Sequence, residues 1–226
     1  MLEESNNVAE LDAPVPTPTS PIEAPAAARP SRPSLMRWSV ETYVDAIERG
    51  GFPPDLRVEL IAGQIVEKMP IGNPHDYTTR RLFKTLLKLV GNEVVVGCRG
   101  PVRIDVSSRP EPDGWLAKGP DEAYLAGAPT SDDLYLVREV ADSSLNYDRE
   151  TKLEIYARGG VVEYWILNVR DGEIEVHTQP RADGTYASKR VLAKAETLRH
   201  ERLGEIAVAT LFAPETGPGA ATPVRD

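Results

Sequence analysis

The chain has 226 residues, 27% of them charged, a formal net charge of −9 and a single cysteine. That length suits one domain. The lone Cys98 excludes an internal disulfide and any Cys-based zinc site, and no apolar run reaches the ~18–20 residues that span a bilayer. Residues 1–36 hold seven prolines among Ala, Ser and Thr, with no apolar period able to bury a face, and 214–226 is a similar short stretch. Both read as disordered tails around a domain over 37–213. With the tails removed the net charge is −5, which is no basic footprint for nucleic acid. The start of the chain carries Glu3 and Glu4 and lacks the basic-then-apolar order of a signal peptide, so a cytoplasmic protein is the default expectation.

Ser39 is placed to cap a first helix with Val40, Tyr43, Val44 and Ile47 on one side and Gly50-Gly51 at its end. Two short alternating runs, 57–61 and 64–69, flank Ala62-Gly63 and predict a hairpin. Val58, Leu60 and Ile65 would line its apolar faces, with Met69 a further candidate. Asn73-Pro74 predicts a helix start with Asn73 as N-cap. That helix carries Leu82, Phe83, Leu86, Leu87 and Val90 on one side and a basic stripe of Arg80, Arg81, Lys84 and Lys88 on the other. The stripe reads most simply as a solvated face, and otherwise as a phosphate contact.

Strands are expected at 94–98, at 102–106 and from Asp113 through Ala117, followed by an irregular linker over 119–131. The run 134–141 is too continuously apolar for a half-exposed strand, so it belongs in the centre of a sheet. A helix over 148–158 closes on Gly159-Gly160, and a buried strand over 162–169 turns at Asp171-Gly172 into 173–177. The order predicts an α/β fold, a mixed β-sheet flanked by helices.

Charged groups within apolar strands cost several kcal/mol unless paired or metal-bound. Glu139 sits in the middle of the most apolar strand, and its neighbour Arg138 points to the opposite face, so the two do not pair. Asp113 follows Pro112 at the mouth of a strand, where Pro-Asp-Gly reads equally as a plain turn. Lys152 is either a partner for these acids or an exposed i,i+4 partner of Asp148. Glu59, between Val58 and Leu60, reads most simply as a surface residue, and His75 as a helix-start residue. Two acids and a lysine on strand, strand and helix are the components of a metal-dependent phosphodiesterase site.

Together these residues resemble a known pattern. The run 58–70, then His75 and an amphipathic helix, looks like the start of the Uma-type restriction endonuclease family. The second half carries the specific part: Pro112-Asp113, Glu139-Val140, Ser143-Ser144, Asp148-Arg149, Lys152, Tyr156-Ala157, Gly160 and Glu163-Tyr164-Trp165. The similarity runs from about Ser39 to Phe212. Two positions depart from it: Gly114 stands where an apolar residue is usual, and Ala141-Asp142-Ser143-Ser144 replaces a proline-containing turn.

The resemblance implies a restriction-endonuclease-like fold with a PD-(D/E)xK core. It implies Asp113 and Glu139 as ligands of Mg²⁺ or Mn²⁺, with the backbone carbonyl of Val140 beside them. Lys152 would be the catalytic lysine moved onto the following helix, Glu59 an accessory acid, and His75 a supporting group. At least one acid should then have a raised pKa in the metal-free protein. Nucleic acid, DNA first, is the implied partner. A homodimer would suit cutting of both strands, and no membrane partner is implied. The competing reading is a catalytically inactive nuclease-fold protein that binds protein or DNA, and metal binding separates the two.

Overall fold

The computed structural model describes residues 35–214. Apart from their innermost residues, the two tails expected from composition lie outside the described residues. Helix α1 (Val40–Glu48) starts as expected: the Ser39 side chain accepts from the Thr42 N–H, and Val40 and Tyr43 are buried. The hairpin β1 (Val58–Ile61) and β2 (Gln64–Glu67) pairs antiparallel around Ala62-Gly63. Tyr43 donates from its hydroxyl to the Val58 carbonyl at 2.9 Å, which fixes α1 onto β1 over a small core with Leu60. Met69 takes no part in that core and is 60% exposed, because β2 ends at Glu67.

Helix α2 (Asn73–Leu89) is capped by Gly72 rather than Asn73; the helix begins one residue earlier than expected, with Pro74 still in its first turn and no side-chain cap. Leu82 and Leu86, four residues apart and fully buried, face the sheet. Each contributes about 1.5–3 kcal/mol of burial.

A six-stranded sheet carries the architecture, in the order β3 (Val94–Cys98), β4 (Gly114–Lys118), β5 (Leu134–Ala141), β6 (Glu163–Asn168), β7 (Glu173–Pro180), β8 (Tyr186–Leu192). Only β5 and β6 run parallel; the other pairs are antiparallel. β5 is central, as its apolar run predicts. Leu136 and Val140 pack on the α2 side with Leu82, Leu86 and Trp165, while Val137 and Ala141 pack on the other side with Ile155, Tyr156 and Tyr164. A second small hairpin, β9 (Thr197–His200) and β10 (Gly204–Ala207), covers the α2 side through Leu198, Leu203 and Ile206.

The expected strand at 102–106 does not form. Val102 and Ile104 are buried as the alternation suggested, but their N–H groups donate to Pro110 and Ser108 carbonyls within a local turn. Only an isolated bridge, Arg103 to Thr130, is strand-like. The helix expected at 148–158 is longer and broken in geometry: α3 (Leu145–Tyr147), a π-turn over Asp148–Lys152, then α4 (Leu153–Arg158). π-turns inside helices occur frequently at functional sites.

Gly114 has a steric reason. It pairs with Arg138 across β4 and β5, and a Cβ there would lie 2.2 Å from the Arg138 guanidinium carbon. Arg138 is fully buried, its Nε and Nη1 have no partner among the described residues, and burial pushes its pKa down to about 10.

Candidate active site

β4 pairs with β5 only as far as Gly114 opposite Arg138, so β5 runs on beyond it with open backbone groups. Asp113, one residue before β4, fills the gap. Its Oδ2 accepts from the Val140 N–H at 2.9 Å, and its own N–H donates to Oε2 of Glu139 at 3.1 Å. The two acids are thus locked to each other's backbone. Pro112-Asp113-Gly114 is therefore a strand entry tied to β5 and not a free turn.

Oδ2 of Asp113 also lies 3.0 Å from Nε2 of His75, in the first turn of α2, and Nδ1 of that ring lies 3.4 Å from the Thr79 hydroxyl. Burial alone would raise the Asp113 carboxyl. The His75 ring and the Val140 N–H outweigh it, and the pKa is lowered.

Glu139 faces the α4 side, away from Arg138, as strand alternation requires. Its Oε1 accepts from Tyr156 at 2.9 Å and from Lys152 Nζ at 3.2 Å. Nζ of Lys152 donates also to Oε2 of Glu59 at 2.7 Å, and that oxygen accepts the Glu111 N–H at 3.0 Å. The Lys152 and Glu59 side chains are only 4% and 3% exposed, so neither is the surface residue that its local sequence allowed. Burial would lower the Lys152 ammonium, but Glu139 and Glu59 on either side hold it well above its ordinary value. Glu139 is raised, by burial first and then by the charge on Asp113, against the pull of Lys152.

These groups line one cavity of about 380 Å³, walled by β2 with the following loop to Gly72 and by the turn from Asp142 to Asp148. Glu59, His75, Asp113, Glu139 and Lys152 all reach it. Val140 contributes its N–H to Asp113. Arg80, Arg81, Lys84 and Lys88 do not line it. Arg80 pairs with Asp76 at 3.0 Å and Arg81 donates to the Thr210 carbonyl, which leaves the stripe as an exposed face of α2.

Four lining or adjoining groups carry no site role in the sequence reading, although Asp148 and Tyr156 belong to the family pattern. Asp148 is buried, accepts from the Ser144 hydroxyl at 2.6 Å, and is raised to about 7 by burial and then by Glu139. Tyr156 is the hydroxyl donor to Glu139. Tyr147 has a buried hydroxyl without a partner among the described residues, pushed up to about 12 by burial and the nearby Glu59 charge. Lys68 donates to the Glu111 carbonyl, and its charge adds to the lowering of Asp113 and opposes the rise of Glu139. Asp148, Lys152 and Tyr156 recur at four-residue steps on one helical face, a signal visible in the sequence. Lys68 had no such signal.

Among the described residues, no group of three or more His, Cys, Asp or Glu side chains is disposed to hold a metal ion. An ion here would rest on two carboxylates, a backbone carbonyl and water. That all-oxygen set fits a hard dication such as Mg²⁺, which keeps several waters and uses one or two carboxylates. Oδ1 of Asp113 has no hydrogen-bond partner among the described residues, so one donor is free for it.

Residues 40–210 match the family Uma2, described as "Putative restriction endonuclease". No curated protein matches the chain. Among solved structures, a putative nuclease belonging to DUF820 from Anabaena variabilis ATCC 29413 shares the fold at TM-score 0.61. It is 10% identical, and the match covers 77% of this chain and 97% of that one.

Proposed function

The chain belongs to the Uma2 restriction endonuclease family, and from that premise we propose that it is a divalent-metal-dependent phosphodiesterase that cuts nucleic acid, with DNA the expected polymer. One observation carries the reading. Asp113, Glu139 and Lys152 arrive from a strand entry, a central strand and a helix, and meet at a single cavity through direct hydrogen bonds.

Asp113, Glu139 and the Val140 carbonyl would hold Mg²⁺ or Mn²⁺. When bound, such an ion polarises a phosphoryl oxygen and supplies a water of lowered pKa. The chain's own groups do the positioning. His75 and the Val140 N–H fix Asp113, and Tyr156 fixes Glu139. Lys152 stays charged across the physiological range and places its ammonium beside the carboxylates, where it would stabilise the charge that develops on phosphorus and its oxygens. Glu59 holds that ammonium at 2.7 Å from the other side. No described helix is long and apolar enough to cross a membrane.

The test is cleavage of labelled oligonucleotides with Mg²⁺ or Mn²⁺. Asp113→Ala and Glu139→Ala should each lower the rate at least about 100-fold, the scale on which charge-stabilising groups act. Metal-dependent cleavage that both variants retain would overturn the assignment.

A further inference from the structure

Strands β3, β4 and β5 set three residues in a row on the face that α2 covers. Cys98 lies opposite Gly114, and Gly114 lies opposite Arg138. Directly opposed residues share a face. Arg138 alternates with Leu136 and Val140, which pack with Leu82 and Leu86 of α2. The neighbouring pair, Gly97 opposite Trp115, belongs to the other face, where Trp115 packs with Val137 and Ala141.

Gly114 is the position that departs from the family pattern, and its missing side chain connects the two ends of the row. The Arg138 guanidinium carbon stands 2.2 Å from where a Gly114 Cβ would be. The charge is therefore about one strand spacing, ~5 Å, from the Cβ of Cys98. Its Nη2 reaches β3, 3.5 Å from the Gly97 carbonyl oxygen. Nε and Nη1 have no partner among the described residues, and the side chain is fully buried. A buried cation costs several kcal/mol unless an anion pairs with it. Of the groups that could offset this burial with a negative charge, Cys98 comes first, ahead of Asp113 and Glu139.

Cys98 itself is exposed and lies on an edge strand of the sheet, open to small solutes. Accessible thiols in electropositive settings are where cysteine oxidation concentrates. It is also the only cysteine of the chain, so a sulfenic acid formed there meets no second thiol within the molecule. The next step of sulfur oxidation is a sulfinate, which is an anion. Beside the guanidinium it supplies the charged acceptor that Arg138 lacks.

We propose that Cys98 is a redox modification site, at which a hydroperoxide oxidises the thiol, through the sulfenic acid, to a sulfinate that pairs with Arg138. In the first step sulfur attacks the outer peroxide oxygen. An S–O bond forms, the O–O bond breaks, sulfur gives up two electrons, and the thiol proton leaves with the departing alkoxide or hydroxide. A second peroxide repeats the transfer on the sulfenic acid and releases a second alcohol or water, and the sulfinic acid gives up its proton. The site uses neither metal nor nucleic acid and stands apart from the nuclease reading.

The test exposes the whole chain to hydrogen peroxide with EDTA present and follows Cys98 by peptide mass mapping. A parallel series contains dimedone, which traps the sulfenic acid. The exposed Met36 and Met69 report the peroxide dose in the same maps. Cys98 of the folded chain should be oxidised at least about tenfold faster than in concentrated urea, where the guanidinium no longer stands beside the thiol. Without dimedone its final product should be the sulfinate. Arg138→Met should bring the folded rate to within about twofold of the unfolded one.

Oxidation of Cys98 no faster in the folded chain than in urea would overturn the assignment. So would a rate that Arg138→Met leaves unchanged, or a folded chain that stops at the dimedone-reactive stage. Should Arg138→Met fail to fold, the comparison of folded with unfolded wild type decides alone.

Discussion

Replacing Lys152 with Met tests the buried charge cluster where it is tightest. The substitution nearly conserves length and removes only the ammonium, which bonds Glu59 at 2.7 Å and Glu139 at 3.2 Å with all three side chains at most 7% exposed. Breaking a buried pair by removing one partner costs about 3–5 kcal/mol, because the remaining charges stay unpaired. For a domain of this size that is a fall of roughly 6–20 °C in Tm.

The sign with pH follows from the two glutamates left behind. Without the ammonium they relieve each other by holding a proton, which raises the folded-state pKa above the unfolded value of about 4.3. A raised acid contributes stability below its unfolded pKa and loses it as pH rises through the folded one. The deficit of Lys152→Met should therefore be smallest near pH 5 and full at pH 8. Urea denaturation of both proteins at the two pH values, with EDTA present, measures it. An equal deficit at both would mean that only packing was lost, and no deficit would mean that the ammonium does not lie between the acids.

Three further outcomes are expected. Gly114→Ala should cost about 1–3 kcal/mol, since its Cβ would meet the Arg138 guanidinium; in an Arg138→Met background most of that cost should vanish, and an unchanged cost in chemical denaturation would refute the steric coupling. Asp148, protonated in the fold up to about pH 7 and in the unfolded chain only to about 3.8, loses stability as pH rises through that window. Asp148→Asn should thus gain roughly 1–4 kcal/mol over wild type at pH 8 and almost nothing at pH 4, and a pH-independent difference would contradict the assignment. His75→Ala should leave Asp113 with one hydrogen bond to Oδ2 instead of two and weaken Mn²⁺ binding about tenfold, measured by calorimetry; unaltered binding would show that the ring does not position the carboxylate.

The sequence was most readable where one residue contradicted its surroundings. Glu139 inside the apolar run of β5 demands a partner, and the family resemblance points to Lys152 for it. The central place of β5 and the burial of β6 follow from their continuous apolar character, whereas their parallel pairing is not written in either run. Glu59 and Lys152 are ambiguous locally, because their burial depends on β1 meeting the π-turn ahead of α4 across 93 residues, and no pattern within either segment encodes that meeting. The run at 102–106 shows the opposite failure: alternation reported burial correctly, yet the N–H groups found carbonyls in their own turn. The final strands, β8 to β10, carry charged and short runs such as Ser188-Lys189-Arg190, typical of an edge that protects itself, and so gave little periodic signal. Gly114 departs from the family pattern for a reason no local run shows: Arg138 occupies the space of its missing side chain.

Titration of Mn²⁺ into the whole chain by calorimetry, with Asp113→Ala/Glu139→Ala as the control, addresses the central claim most directly. Binding of about one ion per chain that disappears in the double variant is the expected result. Absence of binding to the wild-type chain would contradict the account and favour a nuclease-fold protein that binds a partner without chemistry.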